Sequence, residues 1–385
     1  MKNIKTYTVR LKVLTPVHIG SGKTLARNEY IFNNNTGKII IPDINKMMQF
    51  FINHELIEDY INYMTKYSNT GKSLAGFLSK HNISEDIYNK WEDYNLHIAD
   101  KDILDEKGIN LFTKDAYKKI YIPGSSLKGA LRTVLANMEI LEKKNLSGTI
   151  KSEVIKLNAE NDNRYKFYCD KMSKIYKDTD EGIFTREIIF DSSKDFKEDK
   201  KAYINIMSGL TIGDSKPCEA SALIACQKID CHTDGSQNSL PLLRECIKPG
   251  TEIVFPLTIN ENIFEWKIED VKRAIVKNYN NYCNEFLSKF NTAGKLKEAD
   301  ARDNVIFIGG GIGYPSKTYT YAAIRGKEGI NQTSKILNKL FSGKKHNADI
   351  SKGASPRVLK CTKYCDRIVQ MGACLVSFED GFAPY

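Results

Sequence analysis

A few short stretches of this 385-residue chain carry residues that could do chemistry. The sharpest is residues 122–132, IPGSSLKGALR. Gly124 permits a close turn, and Ser125 or Ser126 is placed to cap a helix. Leu127, Leu131, Val134 and Leu135 give that helix a buried stripe. Lys128 and Arg132, four apart, share one face. Free amides, hydroxyls and two cations at one helix start make a phosphate cradle. The plain alternative is a capped surface helix with two solvated bases.

A second stretch runs from Phe307 through Gly309, Gly310, Gly311, Ile312 and Gly313 to Tyr314, with Lys317 downstream. A strand feeding a glycine-dense turn lets backbone approach a phosphodiester closely. No Lys-Ser/Thr follows Gly313, so it is not a P-loop. Pro315 stands where a dinucleotide fold would start its helix. A tight structural turn is the other reading.

His18 lies in LTPVHIGSG, between Pro16 and the Gly20–Ser21–Gly22 turn. Its ordinary pKa suits a general base on a ribose 2′-hydroxyl. No acid or oxyanion stabiliser is close in sequence, and a lone histidine is more often a hydrogen-bonded structural residue. Cys226, Cys231, His232, Cys361 and Cys365 invite a zinc reading. Their spacings form no paired knuckle, so we expect small buried hydrophobes and no metal. Near the end, Arg357 and Lys360 follow a basic loop with Lys344, Lys345 and His346. They could reach nucleic acid or form a solvated run. There is no GxSxG or HExxH motif, and Asp191 and Asp214 make no metal-binding pair. The residues favour a binding protein, with no catalytic residue and no cofactor.

These stretches need elements to position them. Residues 6–19 begin with strict alternation, Tyr7, Val9, Leu11 and Val13 against Thr8, Arg10 and Lys12, which predicts a half-buried strand. Residues 38–41 predict a strand and Asp43 a helix cap. The pattern stays helical to about residue 105, with Trp91 as its anchor. Residues 118–122 predict a strand, so KIIIPDINKMMQFF and KIYIPGSSLKGALR share a strand–turn–helix plan. Further strands are expected at 204–212, 222–230, 251–259, 305–308, 358–362 and 374–378. Helices are expected at 264–290 and 332–341, and loops at 192–200, 235–238 and 342–355. Interleaved short strands and helices argue for an α+β fold.

Hydrophobic residues make up 41% of the chain, enough for a sizeable core, which excludes wholesale disorder. The net charge of +10 is compatible with a polyanion partner. Nine cysteines at irregular spacing make no disulfide framework. No apolar run spans a bilayer, and residues 1–13 lack the core of a signal peptide. These features predict a reduced cytoplasmic protein without a membrane partner.

The order LTPVHIGSG, IPGSSLKGALR, GLTIGDS and GGGIGYPSKT resembles the CRISPR RAMP superfamily. Length, basic balance and PRVLK near the end look like the family of fifth subunits of the Csm (type III-A) effector complex. The resemblance implies two tandem ferredoxin-like (RRM-like) domains. One covers 1–215 with a helical insertion at about 45–110; the other covers 216–385 and holds the glycine-rich loop. It implies a capping subunit that binds the 3′ region of crRNA and contacts neighbouring Csm backbone subunits. It also implies support for crRNA maturation, with host nucleases as partners for 3′ trimming. Gly124, Ser125, Ser126, Lys128 and Arg132 match the RNA-approaching motif, and Gly309, Gly310, Gly311 and Gly313 the glycine loop. Lys317, Arg357 and Lys360 join them as RNA-binding candidates. His18, with Gly20 and Gly22, matches a position that non-cleaving RAMP proteins share. RRM domains outside the superfamily stack bases on sheet aromatics, a signature missing here, so backbone-dominated, salt-sensitive binding is expected. The rivals are a metal-independent endoribonuclease using His18 and an assembly protein that touches no RNA.

Overall fold

Alternation along the first strand sets up the larger of the cores. We describe residues 3–33, 36–67, 73–100, 108–160, 164–190, 200–290, 304–341, 343 and 345–382 of a computed structural model. In β1 (Ile4–Val13), Tyr7, Val9, Leu11 and Val13 are buried as expected. Thr8 is buried too, its hydroxyl donating to the Gly381 carbonyl at 2.8 Å. Arg10 reaches Glu379 at 2.8 Å and Glu252 at 2.7 Å.

Three strands follow: β2 (Gly20–Ala26), β3 (Ile31–Asn33) and β4 (Lys38–Pro42). Asp43 caps α1 (Ile44–Asn53), accepting from the amides of Asn45 and Lys46 at 2.9 and 3.3 Å. α2 (Ile57–Tyr67), α3 (Leu74–Lys80) and the short α4 (Glu85–Tyr88) complete this block. Its own core includes Met47, Phe51, Leu74 and Phe77, with Trp91 buried against Phe50 and Phe51. Next come β5 (Glu92–Ile98), β6 (Gly108–Phe112), α5 (Gly124–Glu142), α6 (Lys144–Ala159) and α7 (Tyr165–Phe184). β7 (Thr185–Phe190) and β8 (Lys200–Asn205) pair with each other. β9 (Leu210–Ile212), β10 (Leu223–His232), β11 (Gln237–Ile247), β12 (Glu252–Asn260), α8 (Ile268–Glu285) and β13 (Val305–Phe307) follow. The last elements are α9 (Thr320–Ala323), α10 (Gly326–Leu340), β14 (Val358–Tyr364), β15 (Arg367–Gln370) and β16 (Ala373–Asp380).

The chain is α+β. One sheet runs β13-β16-β1-β12-β9; the second runs β2-β6-β11-β10-β5-β4-β3, with β14 on β10 and β15 on β14. α5 buries Leu127, Leu131, Val134 and Leu135 in the main cluster with β1. No helix among the described residues is long and apolar enough to cross a membrane.

Several local expectations are corrected. The helical reading to residue 105 fails after Trp91, where β5 begins at Glu92. Leu96 is buried there, and β5 completes backbone pairing with β4 on one side and β10 on the other. Residues 101–107 lie outside the described residues. Residues 118–122 form no strand, so the second copy of the shared plan keeps its turn and its helix, α5, but lacks the strand. Asp115 instead holds a turn by accepting from the amides of Tyr117 and Lys119, and Ile120 makes isolated bridges to Lys114 and Cys218. The 204–212 strand is interrupted by a 3-10 turn at Ile206–Gly209, started by Asn205 accepting from the Met207 amide. β11 begins at Gln237, inside the expected 235–238 loop. A 3-10 turn at His346–Asp349 falls in the other expected loop. The helix expected at 264–290 is shorter and ends in a 3-10 turn at Leu287–Lys289. Residues 191–199, with Asp191 and the expected 192–200 loop up to residue 199, and Lys344 lie outside the described residues, while Lys200 already begins β8.

Candidate nucleic-acid interface

Three of the chemistry-bearing stretches line one cleft of about 460 Å³. Ile19 and Gly20 come from the segment after β1, Ser126, Gly129 and Thr133 from α5, and Ile308, Gly309, Gly310 and Lys317 from the glycine turn and beyond. Gly22 lies apart, in a left-handed turn of β2.

The start of α5 differs from expectation. Neither Ser125 nor Ser126 caps it; Pro123 holds the cap position. Asp214 accepts from the Gly124 amide at 2.8 Å, and Ser215 Oγ accepts from the Ile122 amide at 2.9 Å. This packing requires glycine at 124, because a Cβ would collide with the carbonyl oxygens of Ile212 and Gly213. An anionic side chain at a helix start also suits the helix dipole. The protein's own carboxylate thus occupies the position read as a phosphate cradle. Ser126 still faces the cleft, and Ser125 is exposed.

Lys128 is half-buried and has no ion-pair partner among the described residues. Burial, and then the charge of Arg132, lower its pKa. Arg132 is already engaged: its guanidinium pairs with both oxygens of Asp180, Nε at 3.0 Å, and lies 4.5 Å from the Phe184 ring centroid. Tyr319 donates to the same carboxylate at 3.1 Å.

The glycine turn is fastened to the His18 segment. The Gly310 amide donates to the His18 carbonyl at 2.7 Å. Gly309, Gly311 and Gly313 all have positive φ, and a Cβ on Gly309 would strike that same carbonyl. The His18 ring is buried and bonded through Nδ1 to the Glu245 carbonyl at 2.7 Å, which makes Nδ1 the donor. Burial lowers the His18 pKa to about 4, with Arg244 adding to the fall. The imidazole is therefore neutral near pH 7 and a weak base.

Successive residues of β11 serve opposite faces. The fully buried Glu245 carboxylate accepts from Tyr94 Oη at 2.6 Å, the Phe112 amide at 2.7 Å and Lys114 Nζ at 2.7 Å. Arg244 lies under the glycine turn, where a Cβ on Gly311 would collide with its Nη1. Lys317 is exposed at the cleft rim, but withdrawal of water around its ammonium and the charge of Arg244 lower its pKa. No motif marks Arg244, Glu245 or Asp180; the one sequence signal is a charged pair inside the apolar run LLRECI.

The other candidates stand outside the cleft. Arg357 donates to buried Asp349 at 2.6 Å and to the Lys345 carbonyl at 3.0 Å. Asp349 also accepts from Ser355 Oγ and bonds His346 Nδ1, both at 2.9 Å. Lys360 pairs with Asp230 at 2.8 Å, its stem beside Gly313. All of these cysteines are free thiols: Cys231 is hydrogen-bonded to Cys361 and Cys226 to Cys246, and Cys365 is exposed. Among the described residues, no three His, Cys, Asp or Glu side chains are grouped to hold a metal.

Comparison with known proteins adds a family. The family model described as "RAMP superfamily" matches residues 10–314. A curated protein named "CRISPR system Cms protein Csm5" from Enterococcus italicus is 28% identical, covering 97% of this chain and 98% of its own length. Its namesake from Streptococcus thermophilus is also 28% identical, over 96% and 92%. A crystal structure of T. onnurineus Csm5 aligns with TM-score 0.61 at 17% identity, over 95% of this chain and 99% of that one. A chain of a cryo-EM Csm–crRNA–target RNA ternary complex aligns with TM-score 0.61 at 19% identity, over 96% and 100%.

Proposed function

The chain belongs to the RAMP superfamily, and from that premise we propose that it is a non-catalytic, crRNA-binding capping subunit of a type III-A Csm complex. The observation that carries the reading is the cleft between α5 and the glycine turn, with Lys317 at its rim and Lys128 on the first turns of α5, between the lining residues Ser126 and Gly129 in sequence; neither lysine has an ion-pair partner among the described residues. Unpaired cations at a groove attract a polyanion, and glycine backbone lets a phosphodiester come close. Ser126 supplies a hydroxyl to the same wall. The 3′ region of crRNA lies in this cleft, held by its backbone.

The named relatives and the likeness to a chain of a Csm–crRNA–target RNA complex support the Csm assignment; on this reading the protein contacts neighbouring backbone subunits and works in the cytoplasm. Support for 3′ trimming runs through recruited host nucleases. His18 fits a structural role better than a catalytic one, because a neutral imidazole with pKa near 4 takes up a proton poorly at neutral pH.

The test is a filter-binding titration of the purified protein with a labelled CRISPR-repeat RNA, in EDTA and at several salt concentrations, with the same samples run on a denaturing gel. Salt-sensitive retention of intact RNA is the expected result. Cut RNA, with cutting abolished by His18→Ala, would replace the reading by a nuclease. Neither retention nor cutting would leave an assembly subunit.

A further inference from the structure

Arg244 is an unusual cation in this molecule. Arg10, Arg132, Arg186, Arg273 and Arg357 each pair with a carboxylate. Arg244 has no ion-pair partner among the described residues, although most of its side chain is withdrawn from water. Its Nε is buried and makes no hydrogen bond, and its Nη1 reaches only the Met371 thioether, at 3.7 Å. Cys226, Cys246 and Met371 cluster on this side of β10 and β11. Asp230, whose field reaches Arg244, is already held by Lys360. The other groups facing Arg244 are neutral His18 and the ammonium of Lys317, close enough to repel it.

A buried guanidinium without a counter-charge is costly, and the cost is relieved when an anion arrives. Gly311 lets the guanidinium pack directly against the turn. The planar fork of an arginine matches two oxygens of a phosphate, and Lys317 adds a point charge at the rim. We propose that Arg244 and Lys317 form a phosphate site at the Gly309–Gly313 turn. Assigning that phosphate to an RNA strand rests on the function proposed above; the anion site itself rests on the geometry of the turn.

The experiment is a thermal-unfolding titration of the full chain with inorganic phosphate, at ionic strength held constant with chloride. The melting temperature of the parent is expected to rise with phosphate, and that of Arg244→Gln to stay flat. Without phosphate, Arg244→Gln is expected to melt no lower than the parent, because an unpaired charge has been removed. A flat parent, or a variant that keeps the parent's response, would overturn the site. Should Arg244→Gln fail to fold, the parent's response and its weakening in Lys317→Gln decide the matter by the same criteria.

A second arm measures binding of one single-stranded RNA bearing either a 3′-hydroxyl or a 3′-phosphate. Arg244→Gln is expected to weaken binding about tenfold and to reduce the salt slope by about 0.7. Loss with both RNAs assigns an internal phosphodiester; loss confined to the phosphorylated RNA assigns a terminal phosphate. A phosphate response in a parent that binds neither RNA would remove the RNA reading and leave the anion site standing.

Discussion

Asp214 Oδ1 stands 2.8 Å from the amide of Gly124, ninety residues earlier in the chain. The bond ties the GLTIGDS segment to the first turn of α5, at the edge of the cleft. It also meets the partial positive charge of the helix start from within the protein. The helix start therefore offers no vacant end to a phosphate, and the RNA binding proposed above falls to side chains such as Lys317.

Gly124→Ala is expected to destabilise the protein by about 1–3 kcal/mol, because the new methyl meets two carbonyl oxygens. Asp214→Ala, which only removes the bond to the helix, should cost about 1 kcal/mol. Urea unfolding measures both. A Gly124→Ala variant as stable as the parent would be incompatible with this contact.

Lys128 and Arg132 share a helix face but should respond differently. Lys128→Ala is expected to leave stability within about 0.5 kcal/mol and to lower the salt slope of RNA binding by about one unit. Arg132→Ala strips Asp180 of its cation, so its main effect should appear in the melting temperature. An unchanged salt slope in Lys128→Ala would take that residue out of the interface.

His18 should make stability depend on pH in a defined window. In the unfolded chain its imidazole takes up a proton near pH 6.5; in the folded chain uptake is delayed to about 4. The unfolded state therefore binds more protons between these values, and stability falls as the pH drops from 6.5 towards 4. The full effect is about 3 kcal/mol. The difference in urea midpoint between about pH 7 and about pH 5 should shrink in His18→Asn. An equal pH dependence in both proteins would contradict a neutral, buried imidazole.

Glu245→Gln tests the support beneath the cleft. The substitution leaves Lys114 Nζ beside an uncharged group in a buried setting. A loss of about 3–5 kcal/mol is expected by chemical denaturation. A loss below about 1 kcal/mol would mean that solvent reaches Lys114 freely.

Legibility in the sequence followed the range of the interactions. β1 was readable because its pleat alone dictates the alternation of Tyr7, Val9, Leu11 and Val13. The α1 cap was readable because Asp43 bonds amides two and three residues away. Trp91 was recognisable as an anchor by its size. β5 was not, because its pairing partners β4 and β10 are supplied by the fold. β11 was masked by its polar start and Pro241, and α6 and α7 by their charge. The three cleft stretches were legible as glycine, serine and lysine chemistry. The replacement of a serine cap by Asp214, and the placement of Arg244 beneath Gly311, depend on contacts that only the folded chain creates.

The position of β1 constrains how the protein is made. Val9 pairs with Phe255 on one side and with Phe378 on the other. A ribosome that has released β1 must add more than 240 residues before the first of these neighbours exists. It must reach β16 before the second appears. Both backbone edges of β1 stay unpaired on the nascent chain until β12 emerges, and one of them until β16 does. Such distant pairing folds slowly and leaves unpaired strand edges through which growing chains can associate.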